Sequence, residues 1–295
     1  MENSIKFSPV IVGCMRLGEW GAKYDEGGYE RFIDGCLDLG IDDFDHADIY
    51  GGFTTEKEFG AVIKKRPDLK SKVKITTKCS IKFPCDSKPE FKSKYYDSTP
   101  EDIIQSVDSS LLNLGVENIE LLLLHRPDLL LDARAIADTF KELQSQGKVK
   151  HFGVSNFKTD QFELLNSFFP IANNQLEVSL MHLDAFYDGT LNQCQRLGVT
   201  PTAWSPLGGG IIFSDTANEQ VKRIQEVAQD LMVTYNCNLS QLLLAWVMQH
   251  PTGIRPLLGT TKVSRVKEAI VASTIKLKRA DWYLLLEASR GREVA

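Results

Sequence analysis

The chain has 295 residues, of which 43% are apolar and 25% charged, and its formal net charge is −5. This composition is that of a globular protein with a large core, and no run of five or more Lys or Arg suggests a nucleic-acid or membrane-surface partner. There is no membrane-length apolar stretch or signal-peptide pattern, and the six scattered cysteines lack metal-type spacing, so we expect a cytoplasmic protein with reduced thiols and no metal site.

Apolar runs rich in β-branched residues alternate with amphipathic segments along the whole chain. Eight runs are predicted as strands: VIVGCM (10–15), IDDFDHA (41–47), VKITTKC (73–79), IELLLLH (119–125), VKHFGVS (149–155), ANNQLEV (172–178), VTPTAWS (199–205) and GIRPLLG (253–259). The segments between them, such as 102–115 and 134–147, have helical spacing and end in glycine. Eight such units predict a parallel sheet closed into a (β/α)₈ TIM barrel, as a single domain over 1–295.

Two of the connecting loops are longer than is needed to link neighbouring elements. The first, 82–98, follows the third predicted strand, and the second, 207–218, follows the seventh. Long loops within a compact domain are usually binding loops or lids. Because both follow strands, both are expected at the end of the barrel that carries the active site.

Polar residues stand where three successive strands end. Asp45 and Tyr50 follow the second strand, Lys78 ends the third and His125 ends the fourth. Such residues converge on one mouth of a barrel, and a set of four is hard to explain as packing. By strand alternation Asp43 also faces the interior, where a carboxylate needs a partner that the sequence does not identify.

Two further polar residues of this stretch are expected to be structural. We predict that Asp48 is a turn or rim residue and that His46 packs or hydrogen-bonds locally.

The order of the motifs resembles that of the aldo-keto reductases. VGCMRLG, FDHADIYG, ITTKC, LLLLHRPD, HFGVSNF, NQLEVS, AWSPLGGG and PLLGTTKVSRVKEA match nearly end to end, and HADIYGG is similar to a signature of the family's bacterial oxidoreductase branch. The resemblance implies a (β/α)₈ barrel that binds a nicotinamide cofactor without a Rossmann domain. The chain indeed lacks G-x-G-x-x-G after its first strand.

The resemblance also implies roles for the four residues at the mouth. Tyr50 would donate a proton to the developing alkoxide, although a free phenol has a pKa of roughly 10. Lys78 would lower the pKa of Tyr50, and Asp45 would hold Lys78 in place and keep it charged. His125 would hydrogen-bond the substrate oxygen and orient the carbonyl.

Other residues correspond to the family's cofactor site. Ser155, Asn156 and Gln175 would bind the nicotinamide carboxamide, and Trp204 would stack on its ring. The segment that follows Trp204 would bring backbone amides close to the pyrophosphate; it comprises Ser205, Pro206, Leu207, Gly208 and Gly209.

The residues after the eighth strand correspond to the family's adenosine-phosphate site. Thr260, Thr261 and Arg265, with Lys262 as a possible helper, would hold the 2′-phosphate, and Glu268 would contact the adenine. An arginine suits a phosphate monoester, so NADP(H) is favoured over NAD(H). Ala269 stands where the family often has Asn, so one adenine hydrogen bond is expected to be missing.

The leading hypothesis is therefore an NADPH-dependent reductase of a small-molecule carbonyl substrate, acting as a monomer or small homo-oligomer. One alternative is a redox-sensing, nicotinamide-binding regulatory protein with little turnover. A metal-dependent barrel hydrolase is disfavoured because VIVGCM carries no HxH ligand pair. Substrate choice would depend on the loops 16–30, 82–98 and 207–218, in which the candidate pocket walls are Trp20, Tyr24, Phe83 and Phe213.

Overall fold

The structure, a computed structural model, describes residues 5–214 and 218–294. Its strands in chain order are β1 (Ile11–Gly13), β2 (Asp43–Asp45), β3 (Lys74–Cys79), β4 (Ile81–Lys82), β5 (Tyr95–Tyr96), β6 (Ile119–Leu124), β7 (Val149–Ser155), β8 (Asn174–Glu177), β9 (Thr202–Trp204) and β10 (Arg255–Leu258). All except β4 and β5 form a closed barrel of parallel pairs in the order β1-β10-β9-β8-β7-β6-β3-β2. This confirms the predicted (β/α)₈ barrel, and each barrel strand lies within its predicted run.

Helices surround the barrel. In chain order they are α1 (Glu26–Asp38), α2 (Tyr50–Phe53), α3 (Thr55–Lys65), α4 (Pro100–Leu114), α5 (Ala133–Ser145), α6 (Thr159–Asn166), α7 (Asp184–Tyr187), α8 (Thr190–Leu197), α9 (Glu219–Thr234), α10 (Leu239–Met248), α11 (Val263–Ala272) and α12 (Arg279–Arg290). Within the described ranges, no helix has both the length and the apolar character needed to cross a membrane.

The ends of α4 and α5 follow from local sequence. The hydroxyl of Thr99 accepts the Asp102 amide, and Pro100 occupies the first helical position, where its missing N–H leaves no helical bond unmade. Gly115 and Gly147 follow the two helices with φ angles of 70° and 71°, a conformation that favours glycine.

Both long connections contain ordered structure. The 82–98 connection holds part of a small antiparallel hairpin formed by β4 and β5. In the second connection, Gly208–Phe213 forms a 3₁₀ helix, and residues 215–217 of the predicted loop lie outside the described residues. Each connection begins at the carboxyl end of a barrel strand, as expected.

Apolar side chains cover both faces of the barrel wall, which explains the continuous apolar run of β6. Leu121 and Leu123 face the interior and pack with Phe7, Ile11 and Leu257. The alternate residues Leu122 and Leu124 face outward into the cluster between sheet and helices. A strand buried on both faces has no need of polar alternation.

The hydrogen-bond partner of Asp43 lies near the amino end of the barrel. Its carboxylate accepts the backbone N–H of Ser8 at 2.5 Å, and Asp43 is almost fully buried. Phe44 between the two acids packs outward on Phe59, so Asp43 and Asp45 share the inner face as predicted. The buried acid therefore attaches the segment before β1 to the barrel.

The contact between α3 and α4 yields a prediction about stability. A Cβ atom at Gly60 would lie 1.9 Å from the carbonyl oxygen of Asn113, which is backbone and cannot rotate away. We expect Gly60→Ala to lower the free energy of unfolding by about 1–3 kcal/mol or more, measured by urea denaturation.

Gly27→Ala in α1 is the matched control. The nearest atom to its new Cβ would be the flexible Arg31 side chain at 3.2 Å. This change should be neutral or stabilise by up to about 1 kcal/mol through helix propensity. Equal effects of the two substitutions would contradict the close approach at Gly60.

Candidate active site

The four polar residues singled out from the sequence meet at the carboxyl ends of β2, β3 and β6. Asp45 is the last residue of β2, and Tyr50 begins α2 five residues later. Lys78 is paired in register with Leu123, and the His125 amide bonds the carbonyl of Cys79 at 3.0 Å. Strand pairing thus brings together residues that are up to 80 positions apart in the chain.

Lys78 is the centre of this group. It is buried, and its ammonium nitrogen lies 2.5 Å from Asp45 Oδ1, 2.7 Å from the His46 carbonyl oxygen and 3.0 Å from the Tyr50 hydroxyl oxygen. An ammonium has three N–H donors and no acceptor, so all three are used. The Tyr50 oxygen accepts one of them and keeps its own proton available for another acceptor.

Asp45 connects this group to the expected cofactor residues. Its second oxygen accepts a hydrogen bond from the Gln175 side-chain amide at 2.8 Å. The carboxylate therefore binds Lys78 through one oxygen and Gln175 through the other. Since its NH₂ is held by Asp45, Gln175 can present its carbonyl oxygen to another donor.

Lys78 lowers the pKa of Tyr50, as predicted, but burial raises it by more, so that the net pKa lies above its usual value. The burial of Tyr50 was not part of the prediction, because a sequence carries no direct measure of it. For Lys78, burial lowers the pKa but Asp45 and Tyr50 outweigh it, so the ammonium stays charged.

His125 is a neutral imidazole at physiological pH. Burial lowers its pKa well below the usual value, and the cationic groups of Lys78, Arg126 and Lys94 lower it further. Its ring stands edge-on to the Tyr50 ring, with 6.2 Å between centroids. A neutral imidazole can donate one hydrogen bond to a carbonyl oxygen without carrying a charge.

The residues expected around the nicotinamide form one hydrogen-bonded group at the ends of β7, β8 and β9. The Trp204 indole N–H donates to Asn156, whose side-chain amide donates to the Ser155 hydroxyl, each at 3.0 Å. The Ser155 hydroxyl in turn donates to the backbone carbonyl oxygen of Gln175 at 3.1 Å. Hydroxyl, carboxamide and indole groups around one point fit a ligand that combines a carboxamide with a flat ring.

Backbone strain marks the same region. Asn156 and Ser205 have φ angles of 56° and 49°, which are uncommon for residues other than glycine. Such conformations cluster at binding sites, where the surrounding structure holds them. Gly208 and Gly209 also have positive φ, while Pro206 is buried and Leu207 partly buried beside them.

The residues expected at the 2′-phosphate surround the start of α11, after β10. Thr260 and Thr261 lie in the turn, while Arg265 and Glu268 are exposed on the helix. Within residues 5–214 and 218–294, Arg265 forms no ion pair with Glu268, so its charge is available to a ligand. Ala269 is buried against the core.

The candidate pocket walls divide into two groups. The Trp20 ring lies 6.3 Å from the Tyr50 ring and 6.3 Å from the Phe83 ring, so the two candidate wall residues pack together beside Tyr50. Tyr24 instead packs edge-on against Tyr29, and its hydroxyl donates to the Thr261 carbonyl. Tyr24 thus supports the turn after β10. Phe213 is about half exposed in the 3₁₀ helix.

The two remaining polar residues of HADIY differ in surroundings. His46 is fully buried and packs edge-on against Phe59 at 4.5 Å, and burial lowers its pKa to about 3, which confirms that it packs locally. Asp48 lies in the turn before α2, as predicted, and is partly buried there. Burial and the neighbouring Glu56 raise its pKa well above the usual value.

Several polar residues of this region were not found from the sequence. Glu56 is buried and accepts the Thr77 hydroxyl at 2.6 Å, and Lys82 forms an ion pair with Asp102 at 2.6 Å. Nothing in the sequence marks these contacts, which join α3, α4 and the strand ends. Arg126 had a visible signal, since it directly follows His125.

Comparison with known proteins agrees with this geometry. The family model described as Aldo/keto reductase family matches residues 9–289. Oxidoreductase YdhF of Escherichia coli is 40% identical over 98% of this chain and 96% of its own length. A 6-dehydroglucose reductase of Agrobacterium fabrum is 36% identical over 100% of this chain and 98% of its own length. The structure of the thermostable aldo-keto reductase Tm1743 in complex with the inhibitor epalrestat has the same fold, with a TM-score of 0.78 over 97% of both chains at 24% identity.

A family match over nearly the whole chain, full-length oxidoreductase relatives and the shared barrel all lead to one assignment: the chain belongs to the aldo/keto reductase family.

Proposed function

We propose that this chain is an NADPH-dependent oxidoreductase that reduces aldehyde or ketone carbonyls to alcohols, with Tyr50 as the proton donor. The observation that carries the proposal is the bonding of Lys78. The Lys78 ammonium donates hydrogen bonds to Asp45, to the His46 carbonyl oxygen and to the Tyr50 oxygen. The Tyr50 hydroxyl proton is therefore available for transfer to a substrate. A bound nicotinamide would supply the hydride.

The chain's own residues divide the remaining work. His125, kept neutral by burial and cations, donates a hydrogen bond to the carbonyl oxygen and orients it. Tyr50 has a raised pKa, so it is protonated at neutral pH and gives its proton to the developing alkoxide. Lys78 stabilises the phenolate that remains, and Asp45 holds Lys78 for this role.

Ser155, Asn156, Gln175 and Trp204 would hold the nicotinamide end of the cofactor. The segment from Ser205 to Gly209 would follow the pyrophosphate. Thr260, Thr261 and Arg265 would bind the 2′-phosphate, with Glu268 near the adenine. The preference for NADPH rests on Arg265 at the start of α11, which is exposed and forms no ion pair with any residue that the structure describes.

A panel assay tests the proposal. NADPH oxidation would be followed with aldehydes, ketones and quinones, and a hexose oxidised to the aldehyde at its sixth carbon belongs in the panel because relatives are named 6-dehydroglucose reductase. Steady consumption of NADPH supports a reductase. NADPH binding without turnover on any member would favour the regulatory alternative.

Tyr50→Phe removes the proton donor and little volume. We expect kcat to fall by about 10²–10⁴, the usual contribution of a general acid, with the NADPH dissociation constant nearly unchanged. Steady-state kinetics and fluorescence titration measure the two effects. A variant that keeps more than about a tenth of the wild-type kcat would refute the role of Tyr50.

Lys78→Met removes the ammonium beside Tyr50. Without this charge the pKa of Tyr50 rises further, so we expect a similar loss of kcat. The decrease of kcat at alkaline pH, where Tyr50 loses its proton, should shift to higher pH. The pH–rate profile is the measurement. An unshifted profile would mean that Lys78 does not act on Tyr50.

The substitution also leaves Asp45 without its ion-pair partner, which typically costs about 3–5 kcal/mol for a buried pair. The double variant Asp45→Asn with Lys78→Met removes both charges and serves as the control for folding. It should regain stability but not turnover.

Arg265→Ala tests cofactor choice. A hydrogen bond to a charged group contributes about 1.5–3 kcal/mol, so NADPH affinity should fall about 10- to 150-fold while NADH affinity stays nearly constant. The effect should shrink at high salt because the site is exposed. Lys267→Ala removes the same charge from the same helix and is the control. Equal changes for both cofactors would exclude Arg265 from the site.

A further inference from the structure

Arg126 occupies the mouth of the barrel between His125 and the expected nicotinamide residues. Its Nη1 atom donates to the His125 carbonyl oxygen at 2.6 Å and to the Ser155 hydroxyl at 3.3 Å. These bonds fix one end of the guanidinium across the ends of β6 and β7. The side chain is partly buried, and burial lowers its pKa. The charges of Tyr96, Tyr50 and Glu177 raise that pKa, but only in part.

The rest of the guanidinium has no partner in the part of the chain that the structure describes. Over the described ranges 5–214 and 218–294, Nε and Nη2 make no hydrogen bond and Arg126 forms no ion pair. Nε and Nη2 form the edge of an arginine that binds both oxygens of a carboxylate in parallel. Neither nitrogen is fully buried, so this edge can be reached by a ligand, and a bridge between two strands does not need a charge.

Cations dominate the electrostatics around His125. Lys78, Arg126 and Lys94 all lower the pKa of this imidazole. Asp45 balances the charge of Lys78. Within residues 5–214 and 218–294, Arg126 and the exposed Lys94 form no ion pair, and Glu177 is the acidic group whose charge acts on Arg126. The cations around His125 therefore favour an anionic group close to that imidazole.

We propose that Arg126 binds a carboxylate on the substrate, so that the preferred substrates are aldehydes or ketones that carry a carboxylate close to the carbonyl. The proposal rests on the reductase function proposed above. With the carbonyl against His125 and Tyr50, the free Nε–Nη2 edge would select an acid group a few bonds away.

Succinic semialdehyde and its methyl ester test this inference, because they present the same aldehyde with and without a carboxylate. The wild type should prefer the acid in kcat/KM. Arg126→Gln should lower the ratio of kcat/KM for acid over ester by about 10- to 150-fold, the range of a charged hydrogen bond. Arg126→Lys should keep part of the preference. Lys70→Gln, which removes an exposed charge before the amino end of β3, should keep all of it.

A binding measurement separates this inference from the proposed function. Succinate, which cannot be reduced at a carbonyl, would be titrated into the protein with and without NADP⁺ and followed by tryptophan fluorescence. Its dissociation constant should rise about 10- to 150-fold in Arg126→Gln. If the wild type turned over no carbonyl compound, the reductase proposal would fail while this titration still decided the role of Arg126.

Two outcomes would overturn the inference. Equal losses of kcat/KM for acid and ester in Arg126→Gln, with unchanged succinate binding, would make Arg126 a structural bridge. A loss for neutral glyceraldehyde as large as that for the acid would mean that Arg126 binds hydroxyl groups instead.

Discussion

The candidate active site depends on the buried ion pair between Lys78 and Asp45. Both side chains are 1% exposed or less, and their charged atoms are 2.5 Å apart. Burial of two charges costs several kcal/mol per ion, and such a pair is weak evidence for stability. The barrel tolerates it because the His46 carbonyl, the Tyr50 hydroxyl and the Gln175 amide satisfy the remaining donors and acceptors. We infer that the pair is kept for the state it imposes on Tyr50.

The hydrogen bonds of the two halves of the site are continuous. Gln175 bonds Asp45 through its side chain, and its backbone carbonyl accepts the Ser155 hydroxyl. Arg126 bonds both Ser155 and the His125 carbonyl. A ligand that contacts the side chain of Gln175 or Ser155 therefore touches a residue that bonds Asp45, or one that Arg126 joins to the His125 backbone. If the proposed roles hold, occupation of the cofactor site and the geometry around Tyr50 are coupled through a few hydrogen bonds.

The sequence predicted those features that depend on local pattern. The apolar runs predicted all eight barrel strands. The polar residues at the strand ends predicted that Asp45, Tyr50, Lys78 and His125 lie at one mouth of the barrel. It could not predict contacts set by packing between distant segments, such as Gln175 with Asp45, 130 residues apart, or Ser8 with Asp43. The net direction of the Tyr50 pKa shift could not be predicted for a related reason. Its sign depends on how burial compares with the charge of Lys78, and only the folded chain sets that balance.

The electrostatics of the mouth assign different tasks to its two donors. A charged His125 would be a stronger acid than Tyr50 and would compete to protonate the alkoxide. Burial and three neighbouring cations prevent this by lowering the pKa of His125 far below the usual value. The same burial keeps Tyr50 protonated, and Lys78 limits the rise of its pKa so that the phenol can still release its proton. The charges around the two residues thus support the roles proposed for them, His125 as hydrogen-bond donor and Tyr50 as proton donor, on grounds separate from the family resemblance.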